Sequence, residues 1–335
     1  MMQTIEPGPT VEEARPRDYS RTITLIVGKY GALMVLGLLF LYFSVTANYF
    51  LTWANFVQIF NQAALTAIIA CGLTLVLASG QFDLSIGSVA SLAGIVVSTA
   101  MIAGWPIPVA IAAAIVVGIV VGACNAFLVT RIGVNALVAT LGVGSAAVGV
   151  NYFISGGAAQ PFGIAAPGFS QISVGSWLGV PRNVYYMIAV VVVLWVALNR
   201  TVLGRNIQAV GGNAEAARLA GVNVNGVTGA AFVIGGICAA ITGILLAAVV
   251  GSGQPTGGDG FTLAAFAAAF LGTAVLREGQ FHIFGTVVGV LTVAVGFNGL
   301  ALTGVPSYFQ FFFQGVLLIA AVSFSTLATK RSKAA

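Results

Sequence analysis

Ten apolar stretches run through this chain, and nearly all of its charge is confined to the gaps between them. They cover about 31–49, 58–79, 84–104, 108–130, 134–154, 183–199, 226–250, 261–276, 284–302 and 308–328. Each approaches the length of about 20 residues that a helix needs to cross a bilayer. A soluble domain carries about 25% charged residues; here the share is 6%, against 59% hydrophobic. No water-facing surface can be built from that mixture. Backbone groups in lipid must be satisfied internally, so the predicted fold class is an all-α polytopic membrane protein with about ten transmembrane helices.

Charge then gives orientation. With the N-terminus in the cytoplasm, Arg15, Arg17, Arg21, Lys29, Arg131, Arg200, Arg205, Arg218, Arg277, Lys330, Arg331 and Lys333 all fall inside, and only Arg182 falls outside. This excess of inside cations predicts that both termini are cytoplasmic. The organisation expected is a cytoplasmic tail over 1–30, a membrane domain over 31–329 and a short cytoplasmic tail over 330–335. Residues 1–20, with Glu6, Glu12, Glu13 and three prolines, are too acidic for a signal-peptide n-region. The net charge of +5 is spread over loops, as topology requires, and predicts no nucleic-acid face. Cys71, Cys124 and Cys238 lie singly in apolar runs and read as small buried hydrophobes, without metal or disulfide spacing.

Two Gly-x-x-x-Gly pairs stand five spans apart, Gly118/Gly122 and Gly285/Gly289. An odd offset reverses orientation, so spans 2–5 and 7–10 form an inverted repeat, a transporter arrangement, or the pairs are coincidences in a glycine-rich chain.

Few polar positions remain. Asp83, in Gly80-Gln81-Phe82-Asp83-Leu84-Ser85-Ile86-Gly87-Ser88, is too costly at mid-membrane. It is expected to cap the helix that follows; the alternative is a contact with solute. In Gly211–Gly221, Asn213 is predicted to cap a short cytoplasmic helix, with Glu215 in its first turn, Ala216, Ala217 and Arg218 along it, and Gly221 closing it. It is an ordinary surface helix or a docking knob for a partner groove. The Gly251–Gly260 segment contains Gln254, Thr256 and Asp259 and cannot be a continuous helix. It lines a solute path or forms an exposed turn. Asn55, Gln58, Asn61 and Gln62, with Asn151 and Asn298, add uncharged amides, suited to helix packing or to hydroxylated ligands. Trp177, in the long outer segment 155–182, suits a membrane interface.

In order, Gly72-Leu73-Thr74, Asp83–Ser88, Gly211–Val224, Gln254-Pro255-Thr256, Phe270-Leu271-Gly272-Thr273 and Gly285-Thr286 resemble the membrane permease of ABC sugar importers of the ribose/xylose/arabinose permease family, the inner-membrane component of binding-protein-dependent transport. The resemblance runs from about Asn55 to the C-terminus. It departs at Thr262-Leu263-Ala264, where members carry acid-x-acid, and at Arg277-Glu278-Gly279-Gln280, where members have Gly-Gly. It implies that the Asn213–Gly221 helix couples to an ABC ATPase subunit, and that a periplasmic or extracellular sugar-binding protein and a second copy of the chain complete the transporter. It also implies a bacterial inner-membrane location among membrane lipid. A tentative path takes Asn55, Gln58, Asn61, Gln62, Asp83, Ser85, Gln254, Thr256 and Asp259. The chain has no Gly-x-x-x-x-Gly-Lys-Ser/Thr phosphate loop, so it is expected to be no enzyme and to hold no cofactor, ATP being bound by the partner. The rival function is an ion-coupled transporter or uniporter, which needs intramembrane carboxylates that are scarce here.

Overall fold

The structure is a computed structural model that describes residues 19–275 and 279–334. Arg15, Arg17, Arg277, Glu278 and the tail before Tyr19 lie outside the described residues. Twelve α-helices are formed among the described residues: α1 (Tyr19–Thr46), α2 (Trp53–Ala78), α3 (Ile86–Ile102), α4 (Ile107–Phe127), α5 (Ala136–Ser155), α6 (Arg182–Arg200), α7 (Val202–Gly212), α8 (Ala214–Leu219), α9 (Val224–Val250), α10 (Asp259–Gly272), α11 (Ile283–Leu302) and α12 (Tyr308–Ala334). Every apolar stretch of the sequence becomes one of these helices. Six of them (α2, α4, α5, α6, α9 and α11) are long and apolar enough to cross a membrane; Tyr30–Thr46, α3, α10 and Tyr308–Ser323 are shorter apolar helices.

Local chemistry sets the boundaries. The side chains of Thr52, Asn135, Thr201, Asn213, Asn223 and His282 each accept a backbone N–H in the first turn of the helix that follows, which satisfies donors a helix start otherwise leaves bare. His282 is thus a buried capping residue, its second ring nitrogen bonded to Val275 O at 2.7 Å. Pro106 and Pro181 precede α4 and α6, where a missing N–H is harmless.

At the centre lie α2, α9 and α11. In α2, 78% of the apolar window is buried, whereas in α4 only 22% is; α4, α5 and α6 therefore form the rim. Cys124 shows the consequence: it is exposed on α4, unlike buried Cys71 and Cys238. Its expected burial fails because a lipid-facing helix is apolar on every side, so hydropathy does not report which face is inside. Glycines let the helices touch. A Cβ on Gly118 would stand 2.3 Å from Gly236 O, and one on Gly289 would stand 2.0 Å from Ala268 O. Both pairs noted in the sequence therefore sit at helix crossings, α4 on α9 and α11 on α10. The packing scheme repeats. α4 on α9, α3 on α9, α3 on α4 and α3 on α5 have counterparts in α11 on α2, α10 on α2, α10 on α11 and α10 on α12.

Helix α10 has 14 residues and, at 1.5 Å per residue, is about 21 Å long, short of the roughly 30 Å hydrocarbon core. The reason lies in the segments ahead of α3 and α10. Gln81–Ser85 and Gly251–Gly258 are not helical, and they meet inside the bundle: Gly258 N donates to Ser91 Oγ at 2.8 Å, and the Gly258 backbone lies against Gly87 O. Ser252, Gly253, Pro255 and Gly258 are buried. The exposed-turn reading of this segment thus gives way to non-helical backbone packed against protein, the setting such backbone requires. At the same end, 156–181 carries three two-residue strands, and a fourth lies in the Gly251–Gly258 segment. β1 (Gln160–Pro161) pairs antiparallel with β4 (Ser252–Gly253), and β2 (Ser176–Trp177) with β3 (Val180–Pro181). Phe162 and Phe169 bury edge to face, 5.1 Å apart, among α3, α4 and α9.

Candidate functional site

Where the starts of α2, α6, α10 and α12 meet the ends of α9 and α11, they border a half-open cavity of about 560 Å³. Gln58, Asn61 and Gln62 line it from α2, one helical turn apart, together with Thr66. Asn183 enters from α6, and Gln310 and Gln314 from α12; Gly257, Gly260 and Phe261 form the opposite wall. None of the lining residues is charged. Asn183 is 1% exposed. Its Nδ2 donates to Asn61 Oδ1 at 3.1 Å, and its Oδ1 has no partner among the described residues. A buried amide oxygen left this way is an acceptor for a hydroxyl.

Only three of the nine path residues expected from the sequence come together here. Asn55 is a packing residue: its Nδ2 donates to Phe50 O at 2.9 Å and its Oδ1 accepts from Asn298 at 2.8 Å. Gln254 donates to Ser252 Oγ at 2.7 Å, while Thr256 and Asp259 are exposed beside the wall rather than part of it. Asn151 holds the same segment from α5, through Pro255 O at 2.8 Å. Asn183, Thr66, Gln310 and Gln314 were missed. The signal for the last two was an amide pair spaced four residues apart on one face of α12.

Asp83 and Ser85 belong to a second cluster. Asp83 is 1% exposed and its Oδ1 accepts from Ser85 N at 2.9 Å and Ser85 Oγ at 2.6 Å. Asn125 of α4 donates to Ser85 Oγ at 2.9 Å, and Thr140 of α5 accepts from Leu84 N at 3.1 Å. The expected cap is therefore displaced. Helix α3 begins at Ile86 with Ser85 as its N-cap residue, and Asp83, two residues earlier, closes an Asx turn ahead of it. The extended run Gln81–Ser85 delays the helix by that distance. In this connection between α2 and α3, burial raises the Asp83 carboxyl above its usual range, and the Ser85 hydrogen bonds oppose that rise.

The third feature is α8. Asn213 Oδ1 accepts from Ala216 N at 3.0 Å. Glu215 is in the first turn and Arg218 in the last. Gly221, at φ 84°, closes the helix, with Gly221 N bonded to Arg218 O and Val222 N to Ala217 O, both at 3.0 Å. Ala217 alone is buried; Ala214, Glu215, Ala216, Arg218 and Leu219 are exposed. Just before α8, the end of α7 seats on α2, where a Cβ on Gly211 would stand 2.0 Å from Ala78 O.

A family model described as "Branched-chain amino acid transport system / permease component" matches residues 55–322. The chain belongs to that permease family. The permease is 33% identical over 305 residues to the L-arabinose transport system permease protein of Escherichia coli (strain K12), covering 91% of this chain and 92% of that protein. It is 34% identical over 304 residues to the D-allose transport system permease protein of the same strain, covering 90% and 93%. Against the ribose import permease protein of that strain the identity is 37% over 275 residues, covering 82% and 86%. No solved structure matches the permease. Membership places the chain among permease transport subunits rather than enzymes.

Proposed function

We propose that this permease is the membrane subunit of an ATP-driven importer for a monosaccharide, and that the solute passes through the amide-lined cavity. The observation that carries the proposal is the lining itself. The family description names amino acids, whereas the relatives above are sugar permeases. An amino acid brings a carboxylate and an ammonium, and burying either without a partner is costly. A lining of six amides and a threonine, with no charge, instead offers the paired donors and acceptors that sugar hydroxyls need. The unpartnered Asn183 oxygen is the acceptor assigned to such a hydroxyl.

In this reading the ten apolar helices are ten spans with both termini cytoplasmic, in a bacterial inner membrane. The paired packing of α2–α5 and α9–α12 supports an inverted repeat, with the breaks before α3 and α10 at its interface. Helix α8, capped and exposed in an inside loop, docks on the ATPase, and α7 passes that contact to α2. A soluble sugar-binding protein delivers the solute, and two permease copies pair about a two-fold axis. An ion-coupled mechanism fits less well, because Asp83 is held by Ser85 away from the cavity.

The test is reconstitution of permease, ATPase and binding protein in liposomes. Uptake of L-arabinose, D-allose and D-ribose is measured against leucine, with and without ATP. ATP-dependent uptake of at least one sugar, and none of leucine, is expected. Leucine uptake without sugar uptake, or uptake without ATP, would refute the proposal.

A further inference from the structure

Two residues other than glycine have positive φ among the described residues, Tyr49 at 66° and Leu178 at 52°. Such a conformation is unfavourable for a side chain of this kind and marks a position held for a reason. Both side chains are hydrophobic and neither packs inside: Tyr49 is 81% exposed and Leu178 98%. Both also lie at one end of the molecule, Tyr49 between α1 and α2, Leu178 between α5 and α6.

Leu178 sits at the tip of the β2–β3 hairpin, with Gly179 beside it at φ 78°. A two-residue hairpin loop with positive φ at both positions favours Asn-Gly. Leucine there serves neither the turn nor the core. What lies beneath the tip indicates what it meets. Trp177 packs on Tyr185, ring centres 5.4 Å apart, and accepts the Tyr185 hydroxyl on its carbonyl at 2.9 Å. Tyr185 heads a stripe on α6 that continues through Ile188, Val192 and Val196, all apolar and exposed, as a helix face toward acyl chains must be. The Arg182 guanidinium stands 5.3 Å from the Trp177 ring centre and donates through Nη1 to Gln171 O; a cation beside an aromatic ring is a pairing suited to a membrane interface. Aromatic ring, cation and exposed leucine thus lie at the head of an exposed apolar stripe on α6.

We infer that the 176–181 hairpin and the Tyr49 loop are membrane-interface anchors, with Leu178 and Tyr49 seated at the headgroup–acyl boundary of the surrounding phospholipid. The inference rests on the multi-pass membrane reading but on no transport step. It assigns a role to strain that neither the cavity nor α8 explains.

The full chain, without partner proteins, is placed in vesicles of phosphatidylethanolamine and phosphatidylglycerol. Leu178→Cys and Tyr49→Cys are each made in a Cys124→Ser background and labelled with a nitroxide. Collision with oxygen, which partitions into lipid, is compared with collision with a water-soluble nickel chelate. Leu219→Cys, on exposed α8, is the aqueous reference. The expected oxygen-to-nickel ratio is several-fold above the reference at both positions. A ratio equal to the reference at either position overturns the anchor. So does a Leu178 label that is shielded only after the sugar-binding protein is added, which would assign the hairpin to protein docking. Leu178→Asn gives a second reading that does not depend on labelling. It suits the turn, so thermal stability in detergent should hold or rise, while quenching of Trp177 by lipids brominated near the headgroup should fall at least two-fold. Quenching is taken as the difference from Trp177→Phe. Unchanged quenching overturns the role of Leu178.

Discussion

Asp83 and Asn183 are both buried and polar, yet they call for opposite substitutions. Asp83 acts only through the oxygen that receives two Ser85 hydrogen bonds. Asp83→Asn keeps that acceptor and should transport at close to the wild-type rate with an unchanged melting temperature. Asp83→Ala leaves the Ser85 donors bare and should lose about 1–3 kcal/mol, the cost of unsatisfied buried groups, seen as a lower melting temperature in detergent. Failure of transport in a stable Asp83→Asn variant would return this carboxylate to solute or proton handling. Asn183→Leu removes the free acceptor and the donor to Asn61, and should lower sugar uptake about tenfold, the equivalent of 1.4 kcal/mol, at normal membrane abundance. Undiminished uptake would exclude Asn183 from the path. The Asn213 cap was legible in the sequence because its partner lies three residues away. Asn183 was not, because its partner lies 122 residues away, and a chain read in windows carries no sign of that meeting.

The helices themselves could be read from apolar length, and the close crossings from glycine spacing. The shortness of α10 could not: Gly251–Gly258 announces a break through its Gly and Pro residues, but nothing local states that the break folds inward against α3. Its glycine contacts make a graded test. Gly236→Leu forces atoms into the Gly118 carbonyl, where even a Cβ would stand 2.2 Å away, and overpacking of this kind costs about 1–3 kcal/mol. Gly142→Ala in α5 has nothing within 4 Å of the added atom and should raise stability by about 0.5–1 kcal/mol. Melting temperatures of the two variants should therefore move in opposite directions, and a fall in both would remove the distinction. For α8, Glu215→Lys or Gly221→Val should reduce recovery of the ATPase on co-purification at least several-fold with insertion unchanged. Valine at φ 84° also unwinds the helix end. Full recovery with both would detach α8 from the ATPase.

At the scale of the whole molecule, the proposed transporter contains two permeases for two ATPases, and native mass spectrometry from detergent decides it; one permease per two ATPases would rule out the pair. The cavity has a consequence of a different kind. An elementary charge moved across a membrane exchanges about 2.3 kcal/mol for every 100 mV of potential. A neutral sugar moving along a lining with no charged side chain does no electrical work. The importer should therefore run at the same rate in a fully polarised cell and in one whose voltage has been collapsed by an ionophore, so long as ATP is clamped. Such indifference would let a cell in energetic distress, its proton gradient gone, go on taking up carbon from whatever ATP remains.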